Sequence, residues 1–125
     1  MRVITTPLMP NLALSEYLNF VTAFLRRAPT FNSTRTASDY TILKDDFYVG
    51  VTDTTVARTL DLPPIASVQL DAIIIIKDES GGAGANNITI DADGAETIDG
   101  AATKVINSNY GVFRLKRGPT QWFTL

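Results

Sequence analysis

Ile73-Ile74-Ile75-Ile76-Lys77-Asp78-Glu79-Ser80-Gly81-Gly82-Ala83-Gly84-Ala85-Asn86-Asn87-Ile88-Thr89-Ile90 is the stretch on which the fold turns. A β-branched run of strand length enters a glycine-rich break and emerges into a second short apolar segment. That is how two strands joined through a loop are written. The run Ile73–Ile76 does not alternate with polar residues. Both of its faces are therefore expected to be covered, by the protein's own helix or by a neighbouring subunit. Working outward, the same punctuation yields candidate strands Tyr40–Leu43, Phe47–Val51, Thr55–Leu62, Ala72–Lys77, Asn87–Asp91, Glu96–Ile98, Lys104–Asn107, Val112–Lys116 and Gln121–Leu125. Short strands at close, turn-marked spacing predict a mainly β domain over 38–125, a β-sandwich or a jelly-roll-like barrel.

Residues 1–37 read differently. Pro7 and Pro10 keep the start extended. Leu14, Leu18, Val21 and Leu25 then recur at steps of four, three and four, with Tyr17 and Phe24 flanking them. This is the stripe of one short amphipathic helix. Ser15 stands where an N-cap belongs, Arg26 and Arg27 complement the C-terminal dipole, and Pro29 ends the run. Phe31 to Ser38 is polar and reads as a linker, so the segment is an N-terminal arm for attachment or oligomerisation. The expected partner or oligomer contacts are Leu14, Tyr17, Leu18, Val21, Phe24, Leu25, Arg26 and Arg27. Arg58 joins them, because it shares the face of Val56, Leu60 and Leu62 and needs a partner or the rim of the domain.

The chain of 125 residues contains neither cysteine nor histidine. Disulfides, thiolate nucleophiles, zinc-thiolate sites and imidazole bases are thereby excluded. No metal ligand set, cofactor site or catalytic group is expected, and the chain is read as a non-enzyme. The net charge of −2 divides unevenly. Residues 1–36 hold four arginines against Glu16, net +3, and the remainder holds seven basic and twelve acidic residues, net −5. So acidic a body does not suit nucleic acid, whose phosphates require clustered cations. The apolar stretches fall far short of the ~20 residues of a membrane span. Met1 to Pro7 lacks the apolar core of a secretion signal, so synthesis in a cytoplasm is expected.

Three constellations have plain readings. Ser80–Ala85 is followed by a strand, whereas a phosphate cradle requires a helix N-terminus directly after the glycines. It reads as a loop supplying positive-φ positions. Asp91-Ala92-Asp93-Gly94 opens like a calcium loop, but the twelfth position holds Ala102 where a bidentate acid belongs. Asp45 and Asp46 are sequence neighbours at a strand entrance, not carboxylates facing each other across a cleft.

One resemblance covers about the last two-thirds of the chain. The apolar run, Lys77-Asp78-Glu79, the glycine-rich turn, Asn86-Asn87-Ile88-Thr89-Ile90, Thr97-Ile98-Asp99-Gly100-Ala101, Asn109-Tyr110-Gly111 and Trp122 follow one another in order. This order resembles a β-module of bacteriophage virion proteins of the head-fibre, capsid-decoration (cement) and short tail-fibre type. The resemblance implies a structural protein of the virion, made in the host cytoplasm. It would be a homotrimer that binds the major capsid protein and stabilises the capsid by bridging capsomers. The alternative is a tail-fibre or baseplate-associated protein that binds a host surface glycan. A carboxylate-based glycan hydrolase would need a pair of acids that the chain does not present.

Overall fold

A computed structural model of the chain describes residues 13–19 and 32–125. The chain divides into two units, residues 1–30 and 31–125. In the first, residues 14–19 are helical, with the Tyr17 amide donating to the Ala13 carbonyl at 3.0 Å. Val21, Phe24, Leu25, Arg26 and Arg27 lie outside the described residues.

The second unit is mainly strands, arranged in two mixed sheets. These are β1 (Asn32–Thr36), β2 (Tyr40–Thr41), β3 (Asp46–Val51), β4 (Arg58–Asp61), β5 (Ile73–Asp78), β6 (Ile88–Asp91), β7 (Thr103–Ile106), β8 (Val112–Arg117) and β9 (Trp122–Thr124). Sheet A runs β1-β3-β5-β8-β9 and sheet B runs β2-β4-β6-β7. Through β6 the chain places successive strands in alternate sheets. A strand therefore finds its neighbour two elements earlier and pairs with it in parallel. The crossover that a parallel pair requires is usually a helix; here a strand of the opposite sheet supplies it. Only β7, β8 and β9 add antiparallel pairs. A jelly roll is antiparallel throughout, so four parallel pairings out of seven correct that expectation.

The segment expected to be a linker is β1. Asn32–Thr36 pairs with β3 and places Thr34 and Thr36 beside Val49 and Val51. The β unit thus begins at Phe31 rather than after residue 37. Glu96–Ile98 forms no strand; Ile98 makes isolated bridges to Ala101 and Trp122.

One core joins the two sheets. Val49, Val51, Ile74, Ile76, Leu115 and Trp122 come from sheet A, and Leu60, Ile88, Ile90 and Ile106 from sheet B. The isoleucine run alternates after all. Ile74 and Ile76 are buried, while Ile73 and Ile75 are half-buried on the outer face. Within the β unit, then, the core covers one face of the run. One face meets the core, and the other shares its surface with Tyr48, Arg114 and Lys116 across the register.

Candidate interaction surface

Two hydrogen-bonded knots stand out in the β unit, one around Asp78 and one around Trp122. Asp78 ends β5 with its side chain turned into the protein and fully buried. It accepts from the Ser80 hydroxyl at 2.7 Å and from the amides of Ser80, Gly81, Ala83 and Tyr110 at 3.0 Å. Gly84 donates to Asn109 Oδ1 at 2.9 Å, and the Asp78 amide donates to the Gly111 carbonyl at 2.9 Å. One carboxylate thereby ties the glycine-rich loop to Asn109-Tyr110-Gly111. Burial pushes the Asp78 carboxyl up, but bonds from Ser80, Ala83, Tyr110 and Gly81 outweigh it and hold the group below its usual value. Gly81, at φ 81°, is needed because a Cβ there would collide with the Tyr110 ring.

The second knot surrounds Trp122. The Trp122 amide donates to the Thr97 carbonyl at 2.9 Å, and the Asp99 amide donates to the Trp122 carbonyl at 2.9 Å. Asp99 and Gly100, both at positive φ, turn the chain between Ile98 and Ala101. Those dihedrals are the signature of a type I′ turn. The Asp99 carboxylate accepts from the Thr124 hydroxyl and, at 3.2 Å, from the Thr124 amide. The hydroxyl bond is the main cause that holds it below the usual carboxylate range.

A second buried carboxylate, Asp46, accepts from Thr34 Oγ1 at 2.9 Å, the Tyr40 hydroxyl at 2.8 Å and the Leu43 amide at 2.8 Å. It fastens β1 and β2 to the start of β3. The oxygens of Asp78 and Asp46 are thus committed to holding loops and strands in place. Among the described residues, no three acids gather closely enough to hold a metal ion. Asp99 is drawn to Thr124 and to Lys104 Nζ at 3.8 Å, while Asp91 stands on the outer face of sheet B.

The outer face of sheet A carries Arg35, Lys77, Arg114 and Lys116 among Tyr48, Ile73, Ile75 and Phe123. Arg35 lies over the Tyr48 ring, 5.0 Å from its centroid, and donates to Glu79 at 3.3 Å. Glu79 also accepts from the Tyr48 hydroxyl, which is the main cause that lowers its carboxyl; burial and then this bond raise the phenol. Gly50 leaves room for the Glu79 carboxylate, which a Cβ would strike. Lys116 pairs with Asp71 at 3.3 Å. Arg114 is exposed and has no carboxylate partner among the described residues. Four cations against Glu79 and Asp71 leave this face at about +2.

The outer face of sheet B carries short side chains. Thr41, Asp61, Asp91 and Thr103 form one row, and Thr59, Thr89 and Val105 another. Asp61 and Asp91 are register neighbours and have no cation partner among the described residues. Like charges placed side by side in a sheet are destabilising. At the end of this row lies an open cleft of about 550 Å³, whose lining includes Asp61, Asp91 and Asp93, one cation, Lys44, and the buried Leu62 and Ala92.

The expected contact residues separate here. Leu14 and Leu18 are exposed on the short helix and Tyr17 is half-buried. Arg58 reaches the rim of its own unit, where Nε donates to the Asp53 carbonyl at 2.8 Å and Nη2 lies 3.4 Å from Asp53 Oδ1. Its place on an apolar face is accounted for within the chain. The residues overlooked in the sequence are Arg114, Asp61 and Asp91. The signal for the first was the alternation Val112, Arg114, Lys116 on one side of a strand. Comparison with models of known protein families and with characterised proteins finds no match.

Proposed function

We propose that the protein is a non-enzymatic structural component of a bacteriophage virion, a capsid-decoration or head-fibre protein that works as a homotrimer. In this reading residues 1–30 attach to the major capsid protein, and the two sheets form a sandwich-like body projecting from it. The observation that carries the proposal is the convergence of the shared motif residues on the Asp78 and Trp122 knots. In this reading the motif maintains a shape: the Asp78 carboxylate and the backbone groups around Trp122 are taken up by bonds that tie loops together. Stabilisation by such a protein requires only buried area, and a standard contact of about 1,600 Å² per capsomer bridged suffices.

Immunogold labelling of purified virions with antibody against the chain tests this. Label on the heads is expected. Absence of the chain from virions overturns the proposal, and label confined to tails favours the glycan-binding tail-fibre alternative.

A further inference from the structure

We propose that the outer face of sheet A in one copy docks on the outer face of sheet B in a second copy, with Arg114 of the first seated between Asp61 and Asp91 of the second. The inference concerns one pairwise contact between copies; it rests on the reading above only in taking the protein to self-associate, and it does not by itself build the trimer.

The two faces of one chain are complementary in sign. Sheet A presents about +2 with Arg114 unpaired among the described residues. Sheet B presents Asp61 and Asp91 side by side, with no cation partner among the described residues. A guanidinium supplies two parallel donors and suits a pair of carboxylates better than an ammonium does. Shape agrees with charge. Sheet A carries long side chains around Ile75, its half-buried central residue. Sheet B is a floor of threonine and valine that ends in a 550 Å³ cleft lined by both acids, Asp93 and Lys44, three acids against one cation. The occupant is a second copy because each face meets its complement on the same chain. A symmetric contact would instead set Arg114 against Arg114, or Asp61 and Asp91 against themselves, and such like-charge contacts are strongly disfavoured. The contact is therefore head-to-tail, and because the two outer faces lie on opposite sides of one core it extends copies in an open row. Four strands spaced by about 4.8 Å make a face roughly 19 Å across. One contact falls short of the ~800 Å² per partner of a standard interface, so association depends on concentration and weakens with salt.

Light scattering on the full chain, with Arg114→Glu and with the double variant Asp61→Lys/Asp91→Lys, tests the proposal. The wild-type mass is expected above the 13.6 kDa of one chain. Each variant alone should lose association by about tenfold or more while keeping its melting temperature. Mixing the two variants in equal amounts should restore association, because every broken face then meets an opposite charge. Arg114→Gln, a milder change, should fall between. A wild-type chain that stays monomeric overturns the proposal. So do variants that keep the wild-type mass, or a mixture that stays dissociated. If the wild-type mass exceeds or falls short of three chains while mixing still rescues association, the trimer reading fails and the face assignment stands.

Discussion

A carboxylate with no exposed surface destabilises a protein unless donors surround it. Asp78 has five such bonds, four of them from backbone amides. Replacing it with Asn keeps the size, removes the charge and points an NH2 at donors. The expected loss is about 3 kcal/mol, a fall of at least about 10 °C in the melting temperature of a domain this size. Circular dichroism checks it, and a fall under about 2 °C would contradict the role given to Asp78. The sign with pH follows from the same bonds. Asp78 and Asp99 lie below their ordinary 3.8 when folded, and Glu79 below its 4.5. Their stabilisation is complete above those values and is lost as pH falls through the lower folded ones. Acid melting curves should therefore steepen below about pH 4, and Asp78→Asn should flatten that dependence. The acids of residues 91–99 are dispersed, so EDTA is expected to leave the melting temperature unchanged. A drop of more than about 4 °C, near 1 kcal/mol, would restore the cation reading.

Strand β1 shows what the pattern of residues conceals. Asn32-Ser33-Thr34-Arg35-Thr36 has no apolar side chain, and periodicity therefore marked it as a linker. Backbone pairing with β3 and the Thr34 bond to Asp46 hold it in place. Chains cut after residue 30 are expected to melt cooperatively near the full-length midpoint. Cuts after residue 36 expose β3 and should lower it by several degrees. Equal midpoints for the two truncations would contradict the pairing. The other strands were readable because β-branched residues and turn signals bound them, and eight of the nine candidates match a strand within a few residues. The exception is Glu96–Ile98, whose Ile98 forms bridges only. Direction was not readable, since residue order alone does not show that alternate strands enter different sheets. Which isoleucines enter the core was not readable for a related reason. Ile73 and Ile75 look like core residues in a string of letters, but the register sets them beside Arg114 and Lys116 at the surface. Arg58 looked anomalous until Asp53, five residues away, supplied its partner.

The whole molecule divides its polar chemistry in two. Inside the β unit, Asp46 and Asp78 hold loops and strands in register. Outside, Arg114, Asp61 and Asp91 are left for contacts beyond the chain. The motif residues were therefore legible as shape, while the charged faces became visible only when alternate strands were sorted into two sheets. The proposed function assigns the protein a place on the virion where it bridges neighbours. A cryo-electron-microscopy map of the virion tests that claim most directly. The account predicts copies in threes on the head, each β unit projecting from the capsid surface with residues 1–30 against the major capsid protein. Density on the tail, isolated single copies, or no copies on the particle would contradict it.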